Sequence, residues 1–295
     1  AQQAQVDQFR SFARQHLTSV SEKLVSREAC LKEFLQKLGQ QGYLGLHVAK
    51  EYGGSGGTLL DVVLLVEALA EMEPGLGLTI GNHVAVIETI QKFGTEQQKS
   101  KYLPLLARGE QFATLAFSEE SAGTDFQAVQ ATVRGASDLT LTASKRWVVT
   151  GDFAGLFLVL AKSEENKLVM VLVDRAADGA AFELLKDHKL MGLSSAYVND
   201  VEFTDLPVNA TNKIVGDGAE VALFAMDVAK ANELPMTNSG FMLLGRAYMK
   251  LSEYDLARHY LEQALLTDVG MAGDFWNGLI QQQFAELELT LEHYD

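Results

Sequence analysis

Residues 115–151 read LAFSEESAGTDFQAVQATVRGASDLTLTASKRWVVTG. A short apolar run leads into a polar loop, Ser118 to Asp125, and two segments of alternating polarity follow before Lys145, Arg146 and Trp147. Alternation of apolar and polar residues is typical of β-strands. Two strands beside a turn rich in hydroxyls and backbone amides could hold a flat, phosphate-bearing cofactor. The rest of the chain would then have to enclose this stretch to complete the cofactor site.

Composition excludes several functional classes. The chain has 295 residues, enough for two or three domains, and 47% of them are hydrophobic. The formal charge of −15 argues against nucleic acid and an anionic membrane surface as partners, because both require a basic face. The single cysteine, Cys30, permits no internal disulfide and is expected to be a small core residue. With no metal-ligand spacing and no long apolar run, we expect a metal-free protein in the cytoplasm.

The first part of the chain predicts a helical bundle. Apolar residues recur at helical spacing, with His83 expected to be a helix-packing residue and Thr95 and Gln98 forming a capping box. The glycine tract 53–57 is either a phosphate cradle or a joint before the next helix. The predicted helices cover residues 3–17, 26–42, 58–72, 77–94 and 95–107.

After Gly109 the period changes from helical to alternating. Turn residues separate the apolar segments at spacings of roughly a dozen residues, which suggests a small β-barrel or sandwich. A further helix is predicted at 219–233. The fold class is therefore α+β and multi-domain. The predicted strands lie near 112–118, 127–134, 138–144, 155–162, 167–174, 181–186 and 197–204.

Several motifs in order resemble the acyl-CoA dehydrogenase family. They are LGLHVAKEYGGSGG at 44–57, FGTEQQKSKYLPLLARGE at 93–110, SEESAGTD at 118–125, SKRWVVTG at 144–151 and MGLSSAYVNDVEFTDLPVN at 191–209. The resemblance implies an N-terminal helical domain at 1–110 and a middle β-domain at 111–215, which we expect to be a β-barrel. A connecting helix at 216–235 and a tail at 236–295 would complete the chain.

In that family the middle domain holds FAD from one side. The resemblance assigns the isoalloxazine and ribityl region to Phe117, Ser118, Gly123 and Thr124, and places Trp147 against the ring system. Other positions depart from the family pattern. Val149 stands where a threonine or serine usually donates to the flavin. Glu120 replaces a proline, and Ser194 and Ala196 replace an arginine and a serine.

The tail does not resemble the family's C-terminal helical domain. Residues 238–271 look like one tetratricopeptide repeat, with Leu244, Gly245, Tyr248 and Ala257 at the repeat's spacings. A remnant of the family's own helical domain is the alternative. The family's domain carries the glutamate base and the second wall of the FAD site. We therefore nominate no catalytic residue, and FAD binding would be weak or absent without that wall.

Two main functional hypotheses follow. The first is a divergent relative without complete catalytic machinery, acting as a scaffold that binds a protein partner through residues 236–295. The alternative is an FAD-dependent dehydrogenase of fatty acid metabolism whose base and second flavin wall come from a partner chain or further sequence. Its substrate would be an acyl-CoA or an acyl carrier. A weaker third idea is a module that binds such a group without redox chemistry. An apolar final helix makes a homodimer reasonable.

Overall fold

The structure is a computed structural model. It describes residues 2–17, 28–123, 125–135, 138–176 and 182–233, and the single positions 258, 261, 262 and 281. The chain divides into one unit of residues 1–232 and another of residues 233–295. The predicted tetratricopeptide-like repeat and final helix lie almost wholly outside the described residues.

Helices form the N-terminal part of this unit, as the sequence predicts. Thr95 begins the fifth helix with the predicted capping box, its Oγ1 accepting from Gln98 N at 3.2 Å. The fourth helix begins at Pro74 rather than at 77, because proline suits the first helical turn. The helices are α1 (Gln2–Leu17), α2 (Glu28–Gln40), α3 (Leu59–Ala70), α4 (Pro74–Phe93), α5 (Glu96–Ala107) and, after the strands, α6 (Gly218–Glu233).

The glycine tract 53–57 forms a hydrogen-bonded turn between α2 and α3. Ser55 N donates to Gly45 O at 2.9 Å, and the amides of Gly56 and Gly57 donate to Val48 O and Leu46 O, each at 2.8 Å. A phosphate cradle needs free amides that point at the ligand. The cradle interpretation is therefore wrong for these amides, and the tract is a tight joint.

Seven strands form one sheet in the middle of the unit. They are β1 (Ala113–Ala116), β2 (Thr132–Arg134), β3 (Asp138–Val149), β4 (Leu156–Lys162), β5 (Leu168–Asp174), β6 (Phe182–His188) and β7 (Val198–Asn209). The order is β1-β4-β2-β3-β7-β6, and β5 pairs with the other edge of β4. Within the described strands β5 and β6 do not pair with each other, so the sheet is a half-barrel rather than the small β-barrel or sandwich we predicted.

The half-barrel buries side chains on both faces. In β4, Leu156, Leu158 and Leu160 join the core of the helices, while Phe157 and Val159 point into the concave side of the sheet. Successive side chains of a strand point to opposite faces, so burial on both sides produces a continuous apolar run. On the concave side the ring of Phe157 lies 5.6 Å from the rings of β6 and β7 phenylalanines, which shows how strongly the sheet curls.

His83 joins the helices to the sheet. Its Nε2 donates to Leu106 O at 3.2 Å, and its Nδ1 accepts from Ala113 N at 3.1 Å. Burial lowers the pKa of His83 to about 4, so the ring is neutral at physiological pH. The prediction of a helix-packing histidine is confirmed. Because Ala113 begins β1, this bond also fixes the start of the strand that leads into the loop at 117–123.

No helix in the described part of the chain is both long and apolar enough to cross a membrane.

Candidate functional site

The loop after β1 is held by the carboxylate of Glu119. A turn brings Glu119 N within 2.7 Å of Ala122 O. The side chain accepts from Gln130 N at 2.6 Å and from Ala131 N at 3.1 Å. These contacts join the loop to the approach to β2. Glu119 is therefore a structural anchor rather than a group that faces a ligand.

Lys145 completes this anchor from β3. Its buried Nζ donates to Glu119 Oε1 at 2.6 Å, to Leu160 O at 2.7 Å and to Phe117 O at 3.1 Å. Burial lowers the pKa of Lys145 to about 8, although Glu119 favours the charged form. The amine is therefore still protonated at neutral pH. Three bonds from one ammonium group tie the loop to β3 and β4.

We did not predict the role of Lys145. The signal was present, because Leu141, Ala143 and Lys145 share one face of β3 by their spacing of two residues. A lysine on an apolar face requires an acidic partner. Glu119 is separated from it by 26 positions, so the pairing itself could not be read from the local pattern.

Trp147 lies at a bulge beside the loop. The register between β3 and β7 shifts between Lys145 and Val148, and Trp147 has a φ of 59°. Arg146 N donates to Ser118 O at 2.8 Å, which joins the bulge directly to the loop. A bulge redirects a side chain. Here Trp147 is left 48% exposed.

His188 and Asp200 contact Trp147: the histidine stacks on the indole, and the aspartate binds the backbone. The rings of Trp147 and His188 stack with centroids 4.0 Å apart and an interplanar angle of 28°. His188 Nε2 lies 2.6 Å from Asp200 Oδ1, which also accepts from Trp147 N at 3.2 Å. Burial alone would raise the pKa of Asp200, but these two hydrogen bonds lower it below its ordinary value. Asp200 is therefore an anionic acceptor for both groups.

Val149 lies in a small apolar cluster. Its side chain is buried with Ala196 and Val198, and Leu78 and Leu190 pack against them. Its carbonyl oxygen accepts from the hydroxyls of Thr114 and Thr150 at 2.6 and 2.7 Å. Val149 and Ala196, both departures from the family pattern, therefore contribute to the same cluster. The cluster supplies no side-chain hydrogen-bond donor.

The remaining predicted cofactor residues lie along the loop. Phe117 is buried and meets Phe126 edge-on, with ring centroids 6.2 Å apart. Ser118 is half-buried, and Gly123 is exposed with open space where a side chain would stand. Thr124 lies outside the described residues. The structure thus joins Ser118 to Arg146, the chain neighbour of Trp147, and turns the side chain of Val149 into the interior.

Metal-ligating groups form no candidate centre in this part of the chain. Among the described residues, no group of three histidine, cysteine, aspartate or glutamate side chains is placed to hold a metal ion.

Comparison with known families then identifies the fold. Residues 1–110 match "Acyl-CoA dehydrogenase, N-terminal domain", and residues 114–206 match "Acyl-CoA dehydrogenase, middle domain". Residues 1–206 belong to the acyl-CoA dehydrogenase family. The resemblance inferred from the motifs is confirmed for these two domains, and the matched residues do not include the predicted tetratricopeptide-like repeat at 238–271.

Acyl-CoA dehydrogenases of several organisms are similar to this chain. A short-chain-specific enzyme of Clostridium acetobutylicum is 28% identical over 253 residues, covering 82% of this chain and 66% of the relative. The very-long-chain-specific mitochondrial enzyme of Rattus norvegicus is 30% identical, over 67% of this chain and 32% of the relative. The chain therefore spans between about a third and two thirds of the length of these relatives.

A solved acyl-CoA dehydrogenase has the same fold. The Bacillus anthracis enzyme, crystallised as a complex with FAD, superposes with a TM-score of 0.73 at 26% identity. The match covers 86% of this chain and 44% of that one.

Proposed function

We propose that the first unit holds the isoalloxazine of FAD in an acyl-thioester dehydrogenase. The observation that carries the proposal is the half-exposed Trp147, which follows directly after the residue that hydrogen-bonds the loop at 117–123. Arg146 N donates to Ser118 O, which ties the strand segment that carries Trp147 to the loop. An exposed aromatic face suits a flat heteroaromatic ring. The similar enzyme of Bacillus anthracis was solved as a complex with FAD, which supports FAD as the cofactor.

The described residues fit this cofactor on one side. Ser118 can offer a hydroxyl, and Gly123 leaves open space for close approach of the ring system. Trp147 can cover an apolar edge. Thr124 completes the set that the family resemblance assigns. Phe117 helps to fix the loop, because its carbonyl oxygen accepts a hydrogen bond from Lys145.

The chemistry divides between the cofactor and the protein. Bound FAD would supply hydride acceptance from the β-carbon of an acyl thioester. The residues of this unit orient the ring and shield one of its faces from water. We place the base that takes the α-proton, and the wall over the other face, outside residues 1–206. A partner chain or further sequence would provide them, and the substrate would be an acyl-CoA or an acyl carrier.

A non-catalytic relative is the second candidate, and the apolar cluster at Val149 favours it. The family resemblance calls for a hydroxyl at position 149, and here the position is buried beside Ala196 and Val198. One neutral hydrogen bond contributes only about 0.5–1.5 kcal/mol. Its loss weakens a flavin site without abolishing it. In this candidate the fold would persist as a scaffold, with a protein partner bound by residues 236–295.

Titration of the purified protein with FAD tests the proposal. We expect stoichiometric uptake, with quenching of tryptophan fluorescence and a visible flavin spectrum. Trp147→Ala should weaken binding by about three- to tenfold, as expected for one aromatic stacking contact. Leu185→Ala, which removes an exposed apolar side chain from β6, is the matched control and should leave the Kd unchanged.

Two results would contradict the proposal. A protein that takes up no FAD would favour the non-catalytic scaffold. Equal affinity of the Trp147 and Leu185 variants would place the flavin away from the indole.

A further inference from the structure

The backbone around Trp147 is held in a conformation that non-glycine residues rarely adopt. Trp147 has a φ of 59° and Thr150 a φ of 54°, so two residues with left-handed backbone lie close together in the chain. Such strain persists only where the surrounding structure over-determines it, and it clusters at ligand sites. The strained segment therefore requires an explicit support.

The support is the carboxylate of Asp200. It accepts from Trp147 N at 3.2 Å and lies 2.6 Å from His188 Nε2. Arg146 Nε lies 3.5 Å from the second carboxylate oxygen. One buried anion on β7 thus fixes the backbone of the bulge and the ring of His188 together. Charge-assisted hydrogen bonds of this kind are stronger than neutral ones.

His188 then fixes the indole itself. Its side chain is only 5% exposed, so the imidazole cannot rotate away into solvent. It covers one face of Trp147 at a centroid distance of 4.0 Å. The guanidinium carbon of Arg146 lies 5.6 Å from the ring centroid, and Trp147 as a whole is still 48% exposed, so part of the indole surface remains available to a ligand. His188 and Trp147 therefore form a stack of two rings, and the exposed part of the indole can contact a flat group.

We infer that His188 and Asp200 are positioning residues that hold Trp147 as a pre-ordered stacking platform. The identity of the flat ligand as the flavin rests on the proposed function above, whereas the platform stands on geometry alone. A free indole must be immobilised when the ligand binds, and a pre-ordered one need not be. Loss of either support should therefore weaken ligand binding without removing any atom that touches the ligand.

The experiment isolates Trp147 in a Trp276→Phe background, since the chain has two tryptophans. His188→Asn keeps a donor toward Asp200 but removes the ring. His188→Phe keeps a ring but removes the donor. The readouts are acrylamide quenching, fluorescence anisotropy and the Kd for FAD. Glu183→Gln, an exposed change on the same strand, is the control.

We expect His188→Asn to raise the quenching constant about twofold, because a second indole face becomes exposed. His188→Phe should lower the anisotropy with less effect on quenching. Each variant should weaken the Kd for FAD about three- to tenfold, the cost of ordering one side chain. Circular dichroism checks the fold of both, and Asp200→Asn provides a second route if either fails to fold.

The ordering of Trp147 by His188 and the binding of FAD are tested by different outcomes. Unchanged quenching and anisotropy in both His188 variants would overturn the platform. Changed fluorescence with an unchanged Kd for FAD would overturn its role in binding. If the wild-type protein takes up no FAD, the proposed function fails, and the fluorescence results still decide whether His188 orders Trp147.

Discussion

Replacing Lys145 with methionine should be among the most damaging single changes in the first unit. The ammonium group is fully buried and donates to three acceptors, one of which is the carboxylate of Glu119. Methionine fills a similar volume but leaves that carboxylate, only 5% exposed, without its cation. Breaking a buried ion pair from one side typically costs about 3–5 kcal/mol. We expect a loss of this size in the free energy of unfolding.

The measurement is urea unfolding followed through the fluorescence of Trp147 in a Trp276→Phe background. Trp147 lies in the unit of residues 1–232, so its signal reports that unit. The midpoint should fall while the slope with denaturant concentration stays constant. Adding Glu119→Gln to Lys145→Met should recover part of the loss, because no buried charge then remains unpaired.

Lys189→Met is the matched control for this prediction. Lys189 pairs with Asp187 at the surface, and its side chain is 78% exposed. Exposed pairs contribute about 0–1 kcal/mol, so the control should be nearly silent. If Lys145→Met costs no more than Lys189→Met, the buried pair does not hold the loop, and the account of how Phe117 and Ser118 are positioned fails.

Two further predictions concern the helical part of the unit. Burial raises the pKa of Glu88 to about 7, so the folded state keeps a proton that the unfolded state releases near its ordinary value. Stability should then fall as pH rises from about 4.5 to about 7. Glu88→Gln should gain up to about 2–3 kcal/mol in free energy of unfolding over wild type across that window, measured by urea unfolding. The exposed Glu183→Gln should show no gain over wild type that grows with pH. A side chain at Gly75 would place its Cβ 2.1 Å from Ser195 Oγ. Gly75→Ala should therefore cost about 1–3 kcal/mol. Gly123→Ala, which meets open space, should cost little, and equal losses would contradict the packing argument.

Local patterns predicted most of the secondary structure. The capping box at Thr95 and the continuous apolar run of β4 lie where expected, because each depends only on neighbours in sequence. The strand predicted at 127–134 is shorter. Asp125 accepts from Gln127 N at 3.0 Å and closes a turn over Phe126–Ala128, so pairing begins only at Thr132. Local side-chain capping competed with the strand there.

The candidate site was only partly readable from the sequence. Apolar periodicity predicted the helices and strands, and the motif resemblance indicated the two family domains and implied the loop and tryptophan of the candidate site. Three features were decided by tertiary structure alone: the buried Lys145–Glu119 pair, the His188–Asp200 support beneath Trp147, and the inward side chain of Val149. Each depends on strand register and on a bulge, and a shift of one residue turns a strand's side chains to the opposite face. Periodicity can identify a strand, but the pairing of distant strands decides which side chains meet.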